Sequence, residues 1–213
     1  MALSYPLAWP SSRNLARIAF TQVTFVGASA SPFNGAGQTY GWEGAGLLRA
    51  QCSLPPMKRA YAEDWVGFLL GLNGQEGSFL MPADTVNTSP RGSFAGSPKV
   101  KGAHAAGVRS VALDGFTLSA ASVALRGDWV QFGSGSSSRL HKVVKDLSAD
   151  GAGEGTLELW PPVRAALADN DTFVTASPKG LFMLAPGQAA EWSIDTAQIY
   201  GLQFNVIEDL RDL

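Results

Sequence analysis

Apolar and polar positions alternate along most of this chain, with one helical stretch between. In RIAFTQVTFVGAS, the large apolar residues Ile18 and Phe20 fall at alternate positions, and after a slip of phase Val23 and Phe25 do so again. A period of two predicts a strand. GLLRAQCSLPPM predicts another, ended by Pro55 and Pro56, which cannot donate ladder hydrogen bonds. SPFNGAGQTYGWEG lies between them and is expected to form a long loop leading into an edge strand. The period then changes. In PPMKRAYAEDWVGFLLGLNG, Tyr61, Trp65, Phe68, Leu69 and Leu72 fall at i, i+4, i+7, i+8 and i+11, one face of an α-helix and its expected core. Pro56 suits the first turn, and Asn73-Gly74 supplies a left-handed stop. GSFLMP returns as a short strand.

After this helix the texture changes. TVNTSPRGSFAGSPK has linker composition. From Val100 to about Val174 come short strands between turns: VRSVAL, DWVQFG, RLHKVVKDL, GTLELW and DTFVTA, with hairpin turns at GSGSSS and SADGAGEG. So many short strands in so short a stretch suit a small closed or partly open barrel of the OB or SH3-like kind. In the tail, Trp192, Ile194, Ile199, Leu202, Phe204 and Val206 read as one or two long strands that need sheet neighbours, which the first region offers. The expected fold is therefore mainly β. Residues 1–86 and 181–213 form a discontinuous sheet or sandwich core with one α-helix, 87–97 a linker, and 98–180 an inserted small β-barrel. Ser-Pro-Lys occurs at both changes of pattern, at Ser97 and Ser177, but Leu-Ser-Ala also recurs, at Leu118 and Leu147. The change of pattern, not the repeat, marks the boundary.

Composition narrows the function. The 213 residues are 46% hydrophobic and 16% charged, a globular balance. A formal net charge of −2 leaves no basic stripe for gripping nucleic acid. Cys52 is the sole cysteine, so no internal disulfide framework forms, and its apolar surroundings predict a buried thiol. The first residues lack the basic start of a signal peptide, and Pro6 and Pro10 interrupt them. No run approaches the roughly 20 apolar residues of a membrane span, and synthesis and folding in a cytosol are expected.

Candidate chemistry is sparse. His104 is expected in a loop and His141 at the surface of a strand; no Cys-x-x-Cys or His-x-x-x-His spacing points to zinc. There is no Gly-x-Ser-x-Gly elbow, Walker sequence or dinucleotide fingerprint. SADGAGEG lacks the spacing of an EF-hand loop. Asp128, Asp146 and Glu158 are formal candidates for a carboxylate pair. No catalytic, metal or cofactor residue is assigned. The aromatics say more. Phe33, Tyr40, Trp42 and Trp9 are read as loop aromatics that a monomer would struggle to bury, and so as anchors between subunits or as caps on the ends of the sheet. Trp129, Phe132 and Trp160 are barrel core, or a stacking platform for sugars.

Several segments together, SPFNGAGQTYGWEG, LPPMKRAYAEDWVGFLLGLNGQEGSFLM, GDWVQFGSG with RLHKVV, and LELWPPVR followed by EWSIDTAQIYGLQF, resemble the distal tail proteins of long-tailed bacteriophages. The resemblance implies a tail-tube-like core with an OB-like insertion. It implies six copies closed into a ring that joins the tail tube to hub, tip or fibre proteins, and a lumen that passes viral DNA without binding it specifically. It implies a place in the virion at the distal end of the tail, with no membrane partner. It carries no catalytic residue. Within it, SPFNGAGQTYGW is the arm that reaches a neighbour, and the strands around 18–26, 47–54 and 192–206 build the sheet.

Overall fold

The computed structural model describes residues 3–12, 14–42, 44–188 and 191–211. Its elements in chain order are β1 (Arg17–Val23), β2 (Val26–Ala30), β3 (Gly37–Gly41), β4 (Leu47–Ser53), β5 (Met57–Lys58), α1 (Arg59–Gly71), β6 (Phe79–Pro82), β7 (Gly96–Val100), β8 (Ser110–Phe116), β9 (Trp129–Phe132), β10 (Arg139–Val143), β11 (Gly155–Trp160), β12 (Phe173–Val174), β13 (Lys179–Leu184), β14 (Trp192–Ile194) and β15 (Ile199–Glu208). The protein is mainly β, with one α-helix among the described residues.

The first sheet runs β1-β4-β15-β13-β6, with β5 and β14 also paired to β15. Strict alternation builds its buried face. Leu48, Ala50 and Cys52 of β4 point inward while Arg49 and Gln51 point out. Tyr200, Leu202, Phe204 and Val206 do the same on β15, in a register that sets Phe204 opposite Cys52. Helix α1 lies over this face. Trp65, Leu69 and Leu72 are fully or almost fully buried, with Ala62, Val66 and Phe68 beside them. Asn73 and Gly74 take positive φ after the last turn and stop the helix.

Three expectations change here. Helix α1 begins at Arg59 rather than near Pro56, because Met57 and Lys58 pair with Tyr200 and Ile199 as a short strand. Tyr61 is 48% exposed and is not core. Periodicity gives the direction of a side chain but not how far its cover extends; Trp9, Phe79 and Phe204 pack on Trp65 and Phe68, whereas Arg59, Ala60 and Tyr61 all face solvent. In the tail, β14 pairs with β15 as a hairpin, but its Trp192 and Ile194 are exposed and do not join the core.

The second sheet runs β12-β9-β10-β11-β8-β7 and curls into a nearly closed six-stranded barrel. Its interior is filled by Val100, Val111, Leu113, Val130, Leu157 and Leu159 with Phe132 and their neighbours. Backbone bonds from Val100 N–H to Asp171 O (3.0 Å) and from Asn170 N–H to Val100 O (2.8 Å) draw its two edges together. The first Ser-Pro-Lys lies in β7, not in a linker. Gly96–Val100 pairs with β8 across a register shift, and an edge strand with a bulge tolerates Pro98. The second copy is a turn, in which Ser177 has φ +52° before β13 starts. The preceding stretch is pinned as well. The buried Asp128 carboxylate accepts N–H bonds from Arg91 (2.8 Å), Gly92 (2.9 Å) and Leu125 (2.9 Å).

The two sheets touch. Leu140 of β10 belongs to the core of the first sheet, and Trp129 and Trp160 pack against that core too. Gly180 of β13 is what admits Leu140; a Cβ there would stand 2.9 Å from the leucine Cγ.

Candidate functional site

The most exposed apolar surface is the hairpin β2–β3. The segment 24–42 contains no charged residue. Its register sets Tyr40 opposite Gly27, and the tyrosine ring lies across that glycine; a Cβ on Gly27 would fall 2.3 Å from Tyr40 Cε2. Trp42, two positions on, meets Tyr40 edge-to-face at 5.9 Å. Both remain more than half exposed, and Phe33 at the tip is 96% exposed. The tip is nonetheless ordered by its own bonds. Ser31 N–H donates to Ala36 O (2.9 Å) and Gly35 N–H to Ser31 O (3.0 Å). The Asn34 Oδ1 accepts from Ala36 N–H (3.0 Å). The segment is thus a hairpin, not the long loop expected. The neighbouring Glu43 lies outside the described residues.

Trp9 does not share this surface. It packs on Trp65 at 5.0 Å, Phe79 at 5.7 Å and Phe68 at 6.0 Å, and is part of the wall around the core. A two-turn proline-rich context said nothing of this, because its partners lie over fifty residues away in the chain.

The root of the hairpin is clamped. Arg164, after β11, donates to Glu208 of β15 from Nε (3.0 Å) and Nη2 (2.7 Å), and to the carbonyls of Gly44 (3.2 Å) and Gly46 (2.5 Å). Both side chains are almost fully buried, and Leu48 N–H also donates to Glu208 at 3.3 Å. One bidentate pair therefore ties the barrel, the first sheet and the arm together. Sequence gave no sign of it, since the partners are 44 residues apart and neither stands in a motif.

Beside this root is an open cleft of about 450 Å³ where β1 meets the barrel. Phe20, Leu48, Trp129, Val143, Val144 and Trp160 wall it, with Gln22, Arg126 and Lys142 at its polar positions. Two of the three sugar-stacking candidates meet here, Trp129 and Trp160. Phe132 does not; it is buried in the barrel, where its ring contacts Phe173 and His141. The Trp129 ring is already engaged, with Lys142 Nζ 4.1 Å from its centroid and Phe20 at 5.1 Å.

His141 overturns its expected surface position. Strand β10 is covered on both faces, and the imidazole is fully buried, its Nδ1–H donating to Pro161 O at 2.7 Å while Nε2 has no partner. Burial pushes its pKa down to about 4, against the raising effect of the Pro161 carbonyl and with the help of Arg164 and Arg139. At neutral pH it is an uncharged structural group. His104 Nε2 instead accepts from Ala112 N–H at 3.2 Å. Burial likewise pushes the Cys52 thiol up to about 12. Asp128 spends its carboxylate on three backbone donors, and Asp146 accepts from Arg126 N–H at 2.6 Å. In SADGAGEG, Asp150 folds the turn by accepting from Ala152 and Glu154, both at 2.8 Å. Among the described residues no cluster of His, Cys, Asp and Glu could hold a metal ion, and no helix is long and apolar enough to cross a membrane.

No protein-family model matches the chain, and no curated protein is significantly similar to it.

Proposed function

We propose that this chain is a structural subunit of a ring at the distal end of a long-tailed bacteriophage tail. It would join the tail tube to hub or tip proteins and line a channel through which DNA passes. The observation that carries this reading is the charge-free aromatic hairpin, held out from the body on a clamped root. A lone two-stranded hairpin is marginal in water, and an apolar surface presented in this way marks a contact with another protein. The mainly β body, with one helix on the first sheet and a barrel built from residues between β6 and β13, is consistent with the layout that the sequence resemblance implies. A net charge of −2 suits a conduit that DNA slides through rather than adheres to. A glycan site on the barrel has less support, because Phe132 is inside and the Trp129 ring is engaged by Lys142 and Phe20.

Negative-stain electron microscopy of the purified chain, alone and with a tail-tube protein, tests the reading. Closed rings with a central hole are expected. A chain that stays monomeric at every concentration and adds to no tail component refutes it.

A further inference from the structure

We infer that Phe33, at the tip of the hairpin, inserts into the cleft between β1 and the barrel of a second copy of this chain. The inference rests on the self-assembly in the preceding reading and names the contact that makes it.

Knob and hole match in kind. The knob is a single aromatic side chain on a neutral, internally bonded turn, so little backbone freedom is lost when it docks. The hole is predominantly apolar, with its cations at Arg126 and Lys142, where a charge-free arm brings no like charge to repel them. Insertion within one molecule is blocked by geometry. The cleft lies at the foot of the molecule's own arm, where Trp160 packs near Gly46. Strand β2, Val26–Ala30, carries the turn that bears Phe33 roughly 15 Å away from that foot, and Phe33 is 96% exposed in its own molecule. With its root fixed by Arg164, the arm cannot fold back.

Area supports a second copy as the occupant. The exposed parts of Phe25, Phe33, Tyr40 and Trp42 come to roughly 500 Å², taking a large aromatic side chain as about 200 Å². Covered by an equal area of the receiving copy, they bury roughly 1,000 Å² in total before any backbone contact, close to the lower bound of a stable interface.

The test uses the full chain and exposed positions, so that folding is not at stake. Phe33→Ala removes the knob, and Val144→Arg fills the cleft. In sedimentation, each variant should self-associate at least about 30-fold more weakly than the unmodified chain. An equimolar mixture should form one-to-one pairs, since each variant keeps the half the other lacks. Pro32→Cys, which keeps Phe33, and Val144→Cys chains, mixed under mild oxidation, should give a heterodimeric disulfide, with the buried Cys52 silent in the background. Self-association of Phe33→Ala equal to that of the unmodified chain, or absence of the mixed disulfide, overturns the inference, and rings that persist in Phe33→Ala do so while leaving the ring reading intact. Closed dimers in place of rings, lost in Phe33→Ala, uphold the contact and refute the ring. An unmodified chain that is monomeric up to its solubility limit overturns both. Phosphatidylcholine vesicles that bind the unmodified chain but not Phe33→Ala, with self-association unchanged, overturn the inference in favour of a lipid contact.

Discussion

Replacing Arg164 by Met removes the guanidinium and leaves Glu208 in place. The carboxylate is then buried, 3% exposed at its side chain, with Leu48 N–H as its remaining bond. The carbonyls of Gly44 and Gly46 lose their donor at the same moment. Breaking one half of a buried pair costs about 3–5 kcal/mol, most of it the cost of an uncompensated charge. Arg164→Met with Glu208→Leu removes that charge, and such replacements are often neutral. Here the double variant should recover most of the loss but not all, because the two carbonyls stay unpaired, at about 1 kcal/mol or more between them. Urea unfolding at pH 7 measures all three chains. Hydrogen exchange at residues 26–42 adds a second reading, which should quicken in both variants as the root of the arm loosens. If Arg164→Met lies within 1 kcal/mol of the unmodified chain, water reaches the pair and the clamp is not what fixes the arm.

Other outcomes follow from the same contacts. The depressed His141 pKa predicts stability that is full above pH 6.5 and falls as pH drops towards 4, because the unfolded imidazole takes its proton first. The loss at pH 5 should be about 2 kcal/mol, and His141→Gln should flatten the difference between unfolding midpoints at pH 7 and pH 5; an unchanged slope would place the effect elsewhere. Trp65→Ala should cost about 3–5 kcal/mol, while Tyr61→Ala, on the exposed first turn, should stay within about 0.5 kcal/mol by chemical denaturation. Gly180→Ala should push Leu140 out of the first core and destabilise by about 1–3 kcal/mol, with Leu140→Ala in the same chain giving less than the additive loss.

What could be read from the sequence was periodic. Trp65, Leu69 and Leu72 announce themselves by spacing, and the alternation around Cys52 and Phe204 describes two strands that pair directly. The barrel strands β8 to β12 stand out by their turns, and the mainly β class follows. What could not be read was a matter of cover and of distant partners. Tyr61 has the right spacing but no neighbour above it. Trp9 lacks any pattern and is wedged against four aromatics. Pro98 looks like a breaker yet sits in an edge strand, because edges forgive a missing donor. His141 has a lysine beside it and polar company in sequence, but its strand is enclosed from both sides. At the candidate site, Phe33, Tyr40 and Trp42 were visible as aromatics in a glycine-rich stretch. The rigid hairpin that presents them, and the arginine that holds its base, required the fold.

Strands β6 and β13 have a mechanical consequence. The chain leaves the first sheet at Pro82 and returns at Lys179, and these two residues are paired neighbours. A pull on the barrel along the strand axis therefore acts on both connections side by side. It loads the bonds between β13 and β15 in shear, all together, rather than peeling them one by one. Arg164 offers a second attachment point further along, on Glu208 of β15 itself. A barrel anchored in this way resists a pull without unzipping the first sheet.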